Sequence, residues 1–442
     1  MTSDSGLQFM SFAEAIHYLQ SLGHETLTIK LGLSNTERLL DALGNPQRSF
    51  DRVQIAGTNG KGSTSAMLDA ICRAAQINTG LYTSPHLTSY TERIRTGGRE
   101  ISEENFAACV GEVRAAALRI KTESGALPTF FEQLTAAALV AFRAEKVRLA
   151  ILETGLGGRL DSTTAARAET IAITPVGLDH EEYLGTTLAA IAAEKAAVIR
   201  PGVAAIIAAS QPDEVREVIT ARCRACDVTP RFTTRNIKVI ENCRDGRLLV
   251  SLVTSQETYE NVCLSLRGRH QAENASIAVG VAEHLRERGF AISREAIIEG
   301  LETAAHNGRL ELLSGTPSIL FDGAHNVAGA RALRAYLDEF VHSPITLVFG
   351  AMRDKDLAGI GALLFPAARE IILTRPDSPR AADRDTLERS VPPSVPPSAI
   401  CFAPTVTEAI ARARETTSPG GLICITGSLY LIGEAKKVMS DE

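Results

Sequence analysis

A chain of 442 residues, 45% hydrophobic and only 5% aromatic, can bury two or three substantial cores and has neither a fibrous nor a disordered composition. Its formal charge of −6 argues against a broad nucleic-acid-binding surface, so anionic ligands must be met in local pockets. Apolar runs such as 203–209 are too short to span a membrane, and the N-terminal residues have no continuous apolar core; a cytoplasmic protein with no leader or anchor is expected.

In chain order, residues 53–55 read as a buried strand and 64–75 as a helix, with Met67, Leu68, Ile71, Ala74 and Ala75 at helical spacing. Between them lies Ala56-Gly57-Thr58-Asn59-Gly60-Lys61-Gly62-Ser63, a glycine-rich turn whose backbone amides, helix N-terminus and lysine suit phosphate oxygens. Ser63 offers a hydroxyl for Mg²⁺. The match to the general phosphate loop is incomplete, because Ile55 stands at the first-glycine position and Gly62 where a hydroxyl residue is expected. Glycines also serve ordinary tight turns, so the loop does not decide by itself.

Further strands are predicted at 149–152, 170–174 and 203–208, alternating with helices, which implies a parallel sheet covered on both faces. Just beyond apolar runs lie Thr83-Ser84-Pro85-His86-Leu87, the segment from Glu153 through Gly155, Gly157 and Gly158 to Asp161, and Gly177-Leu178-Asp179-His180. Ser84, Glu153 and His180 are thereby candidates to converge on a divalent metal beside the phosphates, although an edge salt bridge or a satisfied loop histidine would look the same. Glu194-Lys195 sits in a helix over 188–199. Lys195 is either part of a solvated face or a buried amine that reacts with CO₂ to give a carbamate. The lone Cys223-x-x-Cys226 reads as coincidence on an amphipathic helix, and the eight cysteines as reduced thiols.

Strands at 236–239, 247–253 and 261–266 predict a small antiparallel addition, followed by helices over 271–288 and 293–303, the latter capped by Ser293. After a boundary near 304 a second alternation begins: strands 318–322, 346–349, 370–374 and 422–426, with helices 328–340 and 406–415. Arg309 reads either as a clamp on nucleotide phosphates or as a surface arginine, and Asp322 as a group for a ribose or metal-bound water. The repeated Val-Pro-Pro-Ser at 391–398 is a surface loop.

The ordered series of these motifs, with Glu92-Arg93-Ile94, Thr129-Phe130-Phe131-Glu132, His270 to Asn274, Asp322 to Asn326 and Gly427-Ser428-Leu429-Tyr430, resembles the Mur ligase superfamily, and within it the folylpolyglutamate synthase and dihydrofolate synthase family, over nearly the full length. The resemblance implies an α/β fold: an ATP-binding domain of phosphate-loop type over 1–303, with a mostly parallel sheet plus a small antiparallel one, and a smaller Rossmann-like domain over 304–442. It implies ATP-dependent joining of L-glutamate to the carboxylate of dihydropteroate or reduced folates through an acyl phosphate. Single-activity folylpolyglutamate synthesis and another Mur-type amino-acid ligation are the alternatives. Thr58, Asn59, Gly60, Lys61, Gly62, Ser63, Asn274, Arg309 and Asp322 then resemble ATP contacts. Ser84, Glu153, His180 and Lys195 as carbamate resemble metal ligands. Thr129, Phe130, Phe131, Glu132, Leu160, Asp161 and Ser162 resemble the pterin side, with Lys61, Lys195 and His180 at the chemistry. Two Mg²⁺ ions, ATP as co-substrate, K⁺ as a further candidate and a monomer binding neither nucleic acid nor membrane complete the expectation. Thr164, Pro175 and His306-Asn307 depart from the family pattern.

Overall fold

The computed structural model describes residues 10–23, 32–243 and 245–440. Residues 1–9, part of the N-terminal stretch read as lacking a leader, lie outside these. Strand β1 (Asp51–Ala56) is buried on both faces at the centre of an eight-stranded sheet. With β2 (Thr79–Tyr82), β3 (Ile94–Thr96), β4 (Arg99–Glu100), β5 (Leu149–Glu153), β6 (Thr170–Ile173), β7 (Ala204–Ile207) and β8 (Pro230–Phe232), the spatial order is β4-β3-β2-β5-β1-β6-β7-β8. All neighbours pair in parallel except β2 with β3 and β3 with β4. Because β1 lies between β5 and β6, the loops after these three strands open together at their carboxyl ends, where such sheets place ligands.

Side-chain alternation sends Val53, Ile55 and Ile151 to one face and Ala150 and Leu152 to the other. The first face is covered by helices Lys61–Ala74, His270–Glu287 and Arg294–Thr303 and by an antiparallel sheet of β9 (Ile237–Asn242), β10 (Leu248–Val253) and β11 (Thr258–Leu264). The second carries helices Glu103–Ser124 and Phe130–Ala144, joined under β6 and β7 by Leu188–Ala196 and Asp213–Ala225.

A separate six-stranded sheet has the order β12-β13-β17-β14-β15-β16 and comprises β12 (Glu311–Leu313), β13 (Ser318–Asp322), β14 (Ile345–Phe349), β15 (Glu370–Thr374), β16 (Ile400–Ala403) and β17 (Leu422–Thr426). Only β12 runs antiparallel to its neighbour. Helices Val327–Phe340 and Leu357–Leu364 pack on one face, Val406–Thr416 and Leu429–Ser440 on the other. The two units also meet away from the sheet ends. Tyr336 Oη donates to Asp245 O at 3.2 Å, and Glu339 accepts from Asn242 and Arg269, each at 2.7 Å.

The helix expected over 64–75 begins three residues earlier, at Lys61, because Gly60 adopts φ 86° and turns the chain straight into the first turn. The helix expected to reach 199 ends at Ala196. In the small sheet β9 extends to Asn242 and β11 starts at Thr258, each longer than the apolar run that marked it. Ser293 caps its helix through Ala296 N, as expected. Among the described residues, no helix is long and apolar enough to cross a membrane. Cys223 and Cys226 are both buried, one inside a helix and one at its C-terminal cap.

Candidate active site

The glycine-rich turn leaves the carboxyl end of β1, and its shape depends on close backbone approach. A Cβ on Gly57 would collide with Thr174 Oγ1, and one on Gly60 with Asn274 Oδ1. Thr58 N and Asn59 N donate to Pro175 O at 3.0 and 3.3 Å, so the proline in place of a polar residue serves the loop through its carbonyl. Thr58 Oγ1 bridges Gly177 in both directions at 3.0 Å. The amides of Lys61, Gly62 and Ser63 belong to the first helical turn, where no intrahelical acceptor exists, an arrangement that suits an anion.

Two amines converge on one carbonyl. Lys61 Nζ donates to Gly57 O at 3.2 Å and to Thr58 O at 3.1 Å, while Lys195 Nζ donates to Gly57 O at 2.8 Å. Lys195 is 4% exposed. Burial, then the neighbouring Lys61 ammonium, push its amine down to about 7, so a large fraction is neutral near that pH. Burial also lowers Lys61, against the pull of Glu153 and Asp179. Lys195 is therefore not on a solvated helix face.

Glu153 ends β5 and is buried; burial raises its carboxyl, opposed by Lys61 and by the Ser84 amide, which donates to Oε2 at 3.2 Å. His180, at φ 51°, follows Asp179 in the segment that Thr58 holds. Burial drives its imidazole down to about 3, leaving it neutral. Asp179 was not singled out as a site residue, yet it is the hub of contacts to the second sheet. Lys355 Nζ donates to Oδ1 at 2.6 Å, Asn326 Nδ2 to Oδ2 at 3.0 Å, and His325 Nε2 lies 3.6 Å from Oδ2. Burial would raise the Asp179 carboxyl, but His325 and Lys355 hold it well below the carboxylate range. Asn326 also exchanges hydrogen bonds with Asn59, at 3.1 and 3.5 Å.

The other expected contacts divide between shape and access. Asn274 is buried and donates to Gln271 Oε1 at 2.9 Å, with its own Oδ1 turned to Gly60. Arg309 donates to Gly323 O at 3.1 Å and lies close enough to Lys61 and Glu153 to act on both charges. Asp322 accepts backbone amides on both oxygens, from Leu310 at 2.9 Å and Ala324 at 3.0 Å, and so shapes the carboxyl end of β13.

Thr129, Phe130, Phe131, Glu132, Leu160, Asp161 and Ser162, from two distant stretches, line one cavity of about 360 Å³ together with Ser84 and His180. Its far wall comes from the second unit: Arg353, Asp354, Lys355, Arg380 and Tyr430 among others. Of the first group, Glu132 is committed to a capping box, accepting from Thr129 N at 2.6 Å. Asp161 accepts from Leu156 N and Thr163 N at 2.9 and 3.0 Å, folding the glycine-rich turn around the Phe131 ring, which stands against Gly155. Thr164 closes that turn by donating to Gly158 O at 2.7 Å, and it also accepts from the buried Gln54. The charged run 353–356 after β14 was the available signal for the far wall, since residues at strand carboxyl ends face the crevice. It is the only run of four consecutive Asp, Glu, Lys or Arg residues in the sequence, but nothing in it names the partner it meets.

The Mur ligase middle domain matches residues 55–282, and the Mur ligase glutamate ligase domain matches 308–429. A Bacillus subtilis dihydrofolate synthase/folylpolyglutamate synthase is 33% identical over 97% of this chain and 99% of its own. A Haloferax volcanii protein named "Probable bifunctional folylpolyglutamate synthase/dihydropteroate synthase" is 35% identical over 97% of this chain, which spans 50% of that longer protein. Among solved structures, Mycobacterium tuberculosis folylpolyglutamate synthase complexed with ADP superposes with a TM-score of 0.89 at 31% identity, over 98% of both chains. A bifunctional folylpolyglutamate synthase/dihydrofolate synthase with Mn, AMPPNP and L-glutamate bound gives 0.83 at 28% identity, over 97% of this chain and 98% of that one.

Proposed function

Since the chain belongs to the dihydrofolate synthase/folylpolyglutamate synthase family of Mur ligases, we propose that it joins L-glutamate to the carboxylate of dihydropteroate and of reduced folates, converting ATP to ADP and phosphate. The observation that carries this reading is the cavity between the two units, which gathers the folate-side residues with Ser84 and His180, the latter in the segment that Thr58 of the phosphate loop holds through Gly177.

A carboxylate is a poor acyl donor. An oxygen of the folate carboxylate attacks the γ-phosphorus of ATP, ADP leaves, and the acyl phosphate that results carries phosphate as its leaving group. The α-amine of glutamate then attacks the acyl carbon, and the tetrahedral intermediate collapses to the amide with loss of phosphate and a proton. No protein nucleophile is required, so the chain contributes orientation and electrostatics. The first-turn amides, that of Ser63 among them, hold the phosphates with Lys61 and Arg309, Asn274 and Asp322 the rest of the nucleotide, and Thr129 to Glu132 with Leu160 to Ser162 the pterin side. Closure of the second unit through Lys355 excludes water from the acyl phosphate.

A divalent cation fits the donors present. Glu153 is a buried carboxylate whose charge the nearby cations offset only in part, and hard oxygens suit Mg²⁺. No three His, Cys, Asp or Glu side chains among the described residues cluster to hold an ion by themselves, as expected where phosphate oxygens and water complete the shell. Ser84, Glu153, His180 and a Lys195 carbamate would hold two Mg²⁺ ions, which offset charge on the transferred phosphoryl group; K⁺ is a further cation candidate. The carbamate forms when the neutral Lys195 amine adds to CO₂, giving N–COO⁻ and releasing a proton.

We place the domain division at 303/304, one residue before the last member of the first core, Ala304, and ahead of Leu310, which opens the second. A cytoplasmic monomer that binds neither nucleic acid nor membrane fits the −6 charge. The decisive assay is phosphate release from Mg-ATP and glutamate, with dihydropteroate in one arm and tetrahydrofolate in the other. Release in both arms is expected. Release in the second alone reduces the activity to folylpolyglutamate synthesis, and release in neither refutes the ligase reading.

A further inference from the structure

The segment joining the two units sends one side chain back to the phosphate loop. His306, half-buried, lies over Gly62 so closely that a Cβ there would stand 2.6 Å from His306 Cε1. Its Nδ1 is 3.2 Å from Ser63 Oγ, in the first turn of helix Lys61–Ala74. Gln271 reaches the same oxygen from the other side, with Nε2 at 3.4 Å.

The donors and acceptors can be assigned. Gln271 Oε1 accepts from Asn274 Nδ2 at 2.9 Å, and its amide nitrogen faces both Ser63 Oγ and His270 Nε2, the latter at 3.2 Å. That nitrogen can only donate, so Ser63 Oγ accepts from it. The Ser63 hydroxyl hydrogen is then left for His306 Nδ1, which must be the bare ring nitrogen, with the imidazole proton on Nε2. Cβ, the donated hydrogen and the lone pair taken by Gln271 fill three of the four directions around Oγ. One lone pair remains. An oxygen in that state can bind a cation but has no hydrogen to give a phosphate.

We propose that His306 is a positioning residue that accepts the Ser63 hydroxyl proton and so presents the free lone pair of Ser63 Oγ to the nucleotide's divalent cation. This rests on the reading of the loop as an ATP site. It also accounts for Gly62: the imidazole occupies the space a side chain there would need, and the hydroxyl function falls to Ser63.

Isothermal titration of the full chain with AMPPNP, in Mg²⁺ and in EDTA, separates the two ideas. The wild type binds more tightly with Mg²⁺. His306→Phe, which keeps a ring but has no acceptor, reduces that Mg²⁺-dependent gain by about tenfold and leaves the EDTA affinity unchanged. His306→Asn, whose Oδ1 can accept as Nδ1 does, restores the gain and guards against a folding artefact. In a Ser63→Ala background His306→Phe has no further effect. A His306→Phe protein that loses affinity equally in Mg²⁺ and EDTA, or whose loss adds to that of Ser63→Ala, overturns the positioning role. A wild type that binds AMPPNP in neither condition refutes the ATP-site reading and the proposal together.

Discussion

Lys195 shows how a residue's environment changes its chemistry. In the sequence it is a lysine among alanines; in the structure its amine is sealed against Gly57 O beside a second lysine. An ammonium cannot attack CO₂, so a carbamate should form above its pKa of about 7 and be lost as the pH falls below it. Activity is therefore expected to decline between pH 7.5 and pH 6 and to be restored at pH 7 by added bicarbonate, in a rate measurement at saturating substrates. Lys195→Ala should abolish most of the activity with the fold retained, and native mass spectrometry should find the added carboxyl group on the wild type alone. A rate flat across that range, or an unmodified mass, would refute the carbamate. Glu153 and His180 were legible as site candidates because each follows an apolar strand-like run, and Ser84 because it stands in the Thr83-Ser84-Pro85-His86 segment of hydroxyl and imidazole groups. Asp179 was legible in position only, because nothing in its local sequence shows that Lys355 and Asn326, far along the chain, pair with it.

The phosphate loop and its helix act as one element. Gly60, at φ 86°, lets the chain pass from β1 into the helix while facing Asn274. An alanine there carries the left-handed penalty, about 1–2 kcal/mol, and displaces Asn274 as well. Gly60→Ala is expected to lower stability in urea unfolding by that amount or more and to weaken nucleotide binding. Unchanged binding would show that the turn tolerates a side chain. Other elements were legible according to how many cues agreed. β13, β15 and β17 have the bounds expected from their apolar runs, since strands buried on both faces leave continuous apolar stretches. β2 and β16 gave no such signal: Thr79-Gly80-Leu81-Tyr82 contains a glycine that faces the Phe142 ring, and Ile400–Ala403 is a short edge strand beside prolines. Their strand character comes from neighbours already in the sheet, a tertiary effect that local sequence does not record.

Across the whole molecule, the two units are held at the front by a buried ion pair and at the back by exposed ones. Asp179 and Lys355 are 8% and 7% exposed, whereas Arg269 beside Glu339 is 53% exposed. Removing one partner of a buried pair leaves the other charge stranded, at a cost of about 3–5 kcal/mol. Lys355→Met is thus expected to loosen the contact between the units, splitting the calorimetric unfolding into two transitions and cutting ligase turnover more than tenfold. A single transition at the wild-type temperature would show that the pair does not hold the units together. Each unit is continuous in sequence, and that contiguity has a further consequence, in the order of synthesis. Translation at about 5–20 residues per second completes the loop and Lys195 on the order of tens of seconds before Lys355 emerges. A nascent or prematurely released chain can therefore fold the phosphate-facing half while lacking every group that the later half lends to it. The capacity to activate a carboxylate is thus acquired only when translation nears completion.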